Sequence, residues 1–303
     1  MPDLRFDDRV AVVTGAGRGL GRAYAHLLAS KGAKVVVNDN GGTLTGDGAD
    51  AGPAQDVVDE ITAAGGAAVA CTESVATPAG GNAIVQAALD SYGRIDVLVH
   101  NAGTLRRGSL KEMTYEDFES VVDVHLRGAF HVVRPAFPLM CEAGYGRVVL
   151  TSSIGGLYGN HGVANYAVSK AGMIGLSNVV ALEGADEGVK CNVIVPGALT
   201  RMAEGLDTSA YPPMEPELVA PVVGWLAHES CSITGEMLVA IAGRVASAVI
   251  AESPGVYRPS WSIEKVGEEM DAIRHTAAPL IFRVVPNGHA DHIRYSFEMA
   301  CRG

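Results

Sequence analysis

No stretch of this 303-residue sequence stays apolar long enough to cross a bilayer as a helix. Basic residues are scarce too. Lys and Arg total 23 against 34 Asp and Glu, a net charge of −11. An acidic surface of that kind repels nucleic acid and anionic membranes, so neither is expected as a partner. Cysteine is sparse and scattered: Cys71, Cys141, Cys191, Cys231 and Cys301 stand singly. An odd, unclustered set points to reduced thiols in a cytoplasm rather than to disulfides. Met1 to Arg9 is charged and has no apolar core, which predicts no secretory leader. Cys301-Arg302-Gly303 forms neither a peroxisomal address nor a prenylation box. His289 and His292 have only Asp291 beside them, so no metal motif is completed and no metal is expected. No internal repeat is visible.

What is present suits a large α/β domain, alone or with an appendage. Hydrophobic residues make up 48% of the chain and charged residues 19%, enough for a sizeable core. The 37 glycines suit a fold with many tight strand-to-helix turns.

Val10 to Val13 reads as a short buried strand. It runs into Thr14-Gly15-Ala16-Gly17-Arg18-Gly19-Leu20-Gly21 and then a helix through Ser30. Strand, glycine-rich turn and helix are the context of a dinucleotide site. The glycines let the backbone approach a pyrophosphate that rests on the helix N-terminus. A second strand, Lys34 to Asn38, ends at Asp39. A carboxylate about 20 residues after such a turn accepts hydrogen bonds from ribose hydroxyls and repels a 2′-phosphate. Arg18 argues the other way, toward NADP, but a carboxylate facing a phosphate is the costlier mismatch. NAD is therefore the expected cofactor. The bland alternative for Asp39 is a solvated loop carboxylate.

Asn40 to Gly52, rich in Gly and Asp, reads as a long mobile loop. A helix follows with Val57, Val58 and Ile61 on one face, and then a third strand, Ala67 to Cys71. Ser74 and Val75 fall just beyond it, where adenine is expected. The next helix, to about Tyr92, leads to a fourth strand, Val97 to His100, closed by the small turn Asn101-Ala102-Gly103. One helix is expected from about Tyr115 to Cys141, carrying His125, whose ordinary reading is a satisfied buried histidine. Arg147 to Thr151 is a fifth strand, and Ser153 lies just past its carboxyl end, where open α/β sheets bind ligands.

A helix over Ala164 to Val180 then places Tyr166 and Lys170 four apart, on one face. An ammonium about 4 Å from a phenol, at an effective dielectric near 20, is worth roughly 4 kcal/mol. That is enough to bring a Tyr from about 10 to about 7, where it exchanges a proton with an alcohol oxygen at neutral pH. Ser153 offers a second hydroxyl to hold that oxygen. Taken alone, Tyr-x-x-x-Lys also arises by chance; its weight comes from the upstream turn. A sixth strand, Lys190 to Val195, ends in Pro196-Gly197-Ala198-Leu199-Thr200. Met202 to Glu217 reads as a short lid or loop, followed by a helix near Leu218 to His228 and a seventh strand, Met237 to Ile241.

The alternation predicts a single Rossmann-type, doubly wound parallel sheet of about seven strands with helices on both faces. It spans residues 1–243, and 244–303 form a C-terminal extension packed on the same domain. In that tail Trp261-Ser262 opens a short helix with Ile263, Val266, Met270 and Ile273 on one side, and Leu280 to Val285 reads as one more strand.

These motifs together resemble the short-chain dehydrogenase/reductase family. The resemblance rests on Thr14-Gly15-x-x-x-Gly19-x-Gly21, Asn101-Ala102-Gly103, Ser153, Tyr166-x-x-x-Lys170 and Pro196-Gly197. It implies that Tyr166 is the general acid/base, that Lys170 lowers its pKa and holds the nicotinamide ribose, and that Ser153 orients the substrate oxygen. Pro196, Gly197 and Thr200 are implied for the cofactor site. Many members carry Asn where this chain has His125, and His125 is carried over as the fourth catalytic position. A homodimer or homotetramer built through the long central helices is also implied.

Within the family the chain is similar to the subgroup of (3R)-hydroxyacyl-CoA dehydrogenase domains found in peroxisomal multifunctional enzymes. The similar segments include Val37-Asn38-Asp39 with Gly41-Gly42, Leu157-Tyr158-Gly159-Asn160, Thr200-Arg201-Met202, and Trp225-Leu226-Ala227-His228-Glu229-Ser230-Cys231. The resemblance implies an NAD-dependent dehydrogenase of small molecules, best matched to a 3-hydroxyacyl-CoA/3-oxoacyl-CoA pair. Arg106 and Arg107 are then candidates for the CoA phosphates, or simply solvated. The alternatives are a dehydrogenase of a free steroid, terpene or other bulky alcohol, and a catalytically silent nucleotide-binding scaffold. Intact Ser153, Tyr166 and Lys170 weigh against the scaffold.

Overall fold

The computed structural model describes residues 3–201 and 210–302. Met202, and with it the first part of the expected lid, lies outside the described residues.

The strands are β1 (Val10–Thr14), β2 (Lys34–Asn38), β3 (Ala67–Cys71), β4 (Val97–His100), β5 (Gly146–Thr151), β6 (Val189–Gly197), β7 (Met237–Ile241) and β8 (Arg244–Ala248). They form one sheet in the order β3-β2-β1-β4-β5-β6-β7-β8. Pairing is parallel from β3 through to β7. The central strands are Val-rich and buried along their whole length, as strands covered on both faces must be. Strand order runs outward in opposite senses from β1 and β4, and that switch point opens a crevice at their carboxyl ends.

The helices that matter for the site are α1 (Gly19–Ser30), α2 (Gly52–Ala63), α3 (Pro78–Tyr92), α4 (Tyr115–Val122), α5 (Gly128–Glu142), α6 (Ile154–Tyr158), α7 (Ala164–Gly184) and α8 (Ala220–Ala227). Tyr24 and Leu28 of α1, Val57 and Ile61 of α2, and Val223 and Leu226 of α8 pack with Val13, Val35 and Val99 into the core.

Three expectations are corrected here. The sheet has eight strands rather than about seven. A two-residue turn at Ala242 and Gly243, both at positive φ (48° and 78°), folds β8 back beside β7. Alternating apolar spacing is weak in Arg244–Ala248, so nothing in the pattern marks it as a strand. The helix expected from Tyr115 to Cys141 is interrupted by a π-helical turn, Asp123–Arg127, that carries His125. Such a turn inserts an extra residue and re-aims its side chains, and it often lies at a functional site. Pro135 inside α5 cannot bond the His131 carbonyl four residues earlier, and α3 packs at that point. A Cβ on Gly81 would stand 2.3 Å from the His131 oxygen. Finally, Leu280 to Val285 is not a strand. Leu280 makes one antiparallel bridge to Glu252, and Pro279 and Pro286 bracket the run.

By its internal contacts the chain divides into two units, Met1–Ser247 and Ala248–Gly303. The second holds α9 (Ile263–Glu268), α10 (Met270–Ile273) and α11 (Gly288–Arg302). The tail helix thus breaks at Glu269, and α11 adds a longer one that the sequence pattern did not mark. Phe282 stacks edge-on against His292 and Tyr295, and His292 Nε2 lies 3.1 Å from the Glu252 carboxylate. Among the described residues no helix is long and apolar enough to cross a membrane.

Candidate active site

The glycine-rich turn is fastened from below by Thr14. Its Oγ1 accepts the Asn101 and Ala102 N–H groups at 3.1 Å each and lies 3.1 Å from His100 Nδ1. Burial drives His100 down to about 3, so the ring is neutral at ordinary pH. The network then fits one tautomer: the Thr14 hydroxyl donates to Nδ1, and Nε2–H donates to the His125 carbonyl at 3.0 Å. Asn101 Nδ2 closes the joint by donating to the Gly15 carbonyl at 3.1 Å. β1 and β4 are locked together at the mouth of the crevice.

Two glycines are required by contact. Gly15 sits at φ +63°, and a Cβ there would come 2.7 Å from Ala102 Cα. A Cβ on Gly21 would lie 2.1 Å from the Gly15 carbonyl oxygen. Thr200 packs over this turn from the end of β6, its Cγ2 3.1 Å from where a Gly19 Cβ would be. Asp39 binds the turn with one oxygen, accepting Gly17 N–H at 2.8 Å, and its own loop with the other, accepting Gly41 N–H at 2.8 Å.

A cavity of about 600 Å³ opens above these residues. Gly15, Arg18, Gly19, Leu20, Asp39, Ser74, Val75 and Asn101 to Gly103 line it from the β1–β4 side. His125, Tyr166, Lys170, Pro196, Gly197 and Thr200 line it from the other. Gly17 and Gly21 stand behind this wall, shaping the turn. Ser74 Oγ accepts Ala76 N–H at 3.2 Å, and Val75 packs on Gly128 at the start of α5.

At the inner end, Ser153 caps α6 by accepting Gly155 N–H at 3.1 Å. Lys170 is buried and donates from Nζ to the Thr151 carbonyl at 2.7 Å. Ser152 Oγ donates to the Lys170 carbonyl at 2.6 Å. Among the described residues no carboxylate pairs with the Lys170 ammonium, and burial draws it down to about 7. Its Nζ lies 5.7 Å from the centre of the Tyr166 ring. Tyr166 itself is held above the ordinary phenol value by burial, with the Ser153 hydroxyl pulling it back. The expected lowering of Tyr166 by Lys170 is therefore absent in the chain by itself. Both groups are desolvated, and near pH 7 the lysine is charged only part of the time.

His125 stands edge-on to Tyr166, ring centroids 5.3 Å apart. Its Nε2 lies 2.9 Å from Thr104 N and 2.8 Å from Thr104 O, and its buried Nδ1 has no hydrogen-bond partner among the described residues. Burial and Lys170 hold the ring well below its ordinary value, so it is neutral.

The structure also brings in residues that sequence reasoning had not assigned. Thr14, Asn38 and Thr151 are buried polar groups at the carboxyl ends of strands, a position that is itself a signal. Thr43, Leu44 and Gly46, from the loop after Asp39, line the cavity. Arg106 does not face free solvent: it pairs with Asp47 and Asp117.

Residues 9–209 match the family model described as short chain dehydrogenase. This chain belongs to the short-chain dehydrogenase family. It is 51% identical over 259 residues to peroxisomal multifunctional enzyme type 2 of Drosophila melanogaster, covering 85% of this chain and 43% of that protein. It is 45% identical over 256 residues to a short-chain type dehydrogenase/reductase of Mycobacterium tuberculosis, covering 84% of this chain and 89% of the other. The solved structure of full-length multifunctional enzyme type 2 from Drosophila melanogaster superposes with a TM-score of 0.80 at 40% identity. That match covers 97% of this chain and 50% of the other. The chain thus spans about half the length of the multifunctional relative. As a member of the short-chain dehydrogenase family it is an oxidoreductase acting on small molecules.

Proposed function

We propose that the chain is an NAD-dependent dehydrogenase that interconverts a secondary alcohol and a ketone, with a 3-hydroxyacyl-CoA/3-oxoacyl-CoA pair as substrate. The observation that carries this reading is that Tyr166 and Lys170 line a cavity that begins at a glycine cradle, with the Ser153 hydroxyl hydrogen-bonded to Tyr166 just behind the wall. The cradle fits a dinucleotide, because Gly15 and Gly21, where a Cβ would strike Ala102 and the Gly15 carbonyl, let the turn close tightly at the N-terminus of α1, where a pyrophosphate would rest. Gly15 to Gly21 would hold the pyrophosphate, Asp39 the adenosine ribose, and Ser74 and Val75 the adenine. Asn101 to Gly103, Lys170, Pro196, Gly197 and Thr200 would hold the nicotinamide half. The Asp39 carboxylate supports NAD over NADP, since it lies in the cavity wall beside the glycine turn, where it would meet the adenosine ribose and repel a further phosphate.

When bound, the nicotinamide supplies the hydride acceptor. The chain's own residues manage the proton. Ser153 Oγ holds the alcohol oxygen, and Tyr166, as phenolate, takes the hydroxyl proton as the carbinol carbon gives up its hydride. Lys170, when protonated, favours that phenolate. His125, neutral and edge-on, fixes the Tyr166 ring. In the ketone direction Tyr166 returns the proton.

The hydroxyacyl-CoA assignment is supported by the similarity to multifunctional enzymes. Five free cysteines support a reducing compartment, for which we take the cytoplasm. Val168, Gly175, Val179 and Leu182 line one exposed face of α7, which supports a homodimer or homotetramer built on that helix. The test is turnover of purified protein with NAD and a panel of 3-hydroxyacyl-CoA thioesters, free steroid alcohols and small cyclic alcohols. Activity confined to free alcohols would replace the thioester assignment. No turnover and no NAD binding would sink the reading.

A further inference from the structure

The loop between β2 and α2 is built, not loose. Asn40 O accepts Asp50 N–H at 2.9 Å, closing its base, and Thr43 O accepts Gly46 N–H at 3.0 Å, turning its tip. Asn40, Gly42, Thr43, Leu44 and Gly46 form one wall of the cavity. The loop is therefore a strap across the side where Asp39 faces the ligand.

Its tip is tied to the segment that leaves Asn101-Ala102-Gly103. Leu44 O accepts Leu105 N–H at 2.9 Å, and Gly46 sits against Thr104, whose Cγ2 would be 3.0 Å from a Cβ. Arg106 completes the tie with all three arms of its guanidinium. Nε donates to Thr45 O at 3.0 Å, Nη2 to Asp47 Oδ1 at 3.0 Å, and Nη1 to Asp117 Oδ1 at 3.2 Å. Two arms hold the strap, and the third holds α4. The same residue reaches the catalytic helix through its backbone. Arg106 O accepts Asn165 Nδ2 at 3.1 Å, and the buried Asn165 carries Tyr166 N–H on its Oδ1 at 2.8 Å.

We propose that Arg106 is a latch: with Asp47 and Asp117 it holds the 40–51 strap against the cavity and so sets how long the dinucleotide stays bound. This rests on the reading that the cavity takes NAD. Arg106 is a positioning residue, since its side chain reaches the ligand only through the strap. The planar fork matters. A lysine offers one point of charge and cannot serve Thr45 O, Asp47 and Asp117 together. Because the tie to Asn165 runs through the Arg106 carbonyl, opening the latch leaves Tyr166 in place. The loss then falls on KM for NAD rather than on kcat.

The experiment uses the full chain, two disruptive variants, Arg106→Gln and Asp47→Asn, and the conservative Arg106→Lys. Asp47 is two-thirds exposed, so its variant folds without strain. NAD affinity is measured by calorimetric titration at low and high NaCl, and amide exchange over residues 40–51 is followed without ligand. Breaking the exposed pair is expected to raise the NAD Kd about threefold to fivefold in Asp47→Asn. Removing the charge-assisted bonds is expected to raise it about tenfold or more in Arg106→Gln. Arg106→Lys is expected to fall between wild type and Arg106→Gln. Salt is expected to weaken the wild type toward the variants and to move the variants less. Exchange over the strap is expected to quicken in both. Wild-type exchange and wild-type Kd in both variants would overturn the latch. A wild-type chain that bound no NAD would overturn the function reading instead, and exchange in the free chain would still decide whether the strap is latched.

Discussion

Lys170 donates its ammonium to the carbonyl of Thr151, 2.7 Å away, and among the described residues no carboxylate meets it. Helix α7 is thereby pinned to the end of β5 by a buried group whose proton is only loosely held. The fold therefore carries a destabilising group at the proposed site, a common trade at functional sites.

That trade has a pH signature. Lys170 titrates at about 7 in the fold against 10.5 when free, so between those values the unfolded chain binds the extra proton. Stability from this group therefore rises with pH from about 7, and the penalty is fully present below it. Buried Cys191, held up at about 12 against 9.0, offsets this rise above pH 9 and turns it downward only above about 10.5. Lys170→Met should be the more stable protein at pH 7, and the gap should shrink by pH 9. The full shift bounds the effect at about 5 kcal/mol. Urea denaturation at pH 7, 8 and 9 measures it, and parallel curves for the two proteins would refute the assignment.

Tyr166→Phe keeps the ring that packs against His125 and removes the hydroxyl. NAD affinity should survive within about twofold, and kcat should fall by about 10² to 10⁴. In alcohol oxidation the wild-type rate should rise with pH, through apparent values that belong to Tyr166 and Lys170 jointly. Steady-state kinetics with a cofactor titration separate the two effects. Near-normal turnover in the variant would require a different acid/base.

Asp39→Ala should raise the NAD Kd by about tenfold or more, because it removes the ribose acceptor and frees two backbone N–H groups. NADP should be weakened less, since a repulsion is lost with the same carboxylate. The ratio of the two affinities is the readout. A wild type that prefers NADP would contradict the role given to Asp39.

Val179 is half-exposed on α7 and shares a face with Val168, Gly175 and Leu182. Val179→Asp places a charge in that apolar strip and should shift the protein to monomer, with Tm changed by only a few degrees. Light scattering behind size exclusion reads the mass directly. A wild type that ran as a monomer would remove the proposed interface.

Much of this was legible in the sequence. The seven parallel strands are short apolar segments, most of them rich in Val, and local pattern alone places them. Tyr166, Lys170 and the glycine turn were legible because their spacing is dictated by one helix and one tight bend. The π turn at His125 was not, since helical spacing continues through Asp123–Arg127 and only packing between Gly103 and Tyr166 distinguishes it. The ion pairs of Arg106 were hidden for a similar reason. Its partners, Asp47 and Asp117, lie 59 and 11 residues away, and no local rule joins them. The titration of Lys170 was hidden too: charge pairing is visible in a motif, but the degree of burial is a property of the whole fold.

The eighth strand governs how molecules of this protein meet one another. A sheet that stopped at β7 would offer Met237–Ile241 as an unpaired backbone rim, a template on which a neighbouring copy could extend the sheet. The turn at Ala242 and Gly243 fills that rim from within the same chain. The strand laid over it is five residues long and opens with an exposed arginine, Arg244, a poor surface for ribbon growth. A short hairpin thereby acts as a chain terminator for the sheet, which matters most while the protein is newly made and concentrated.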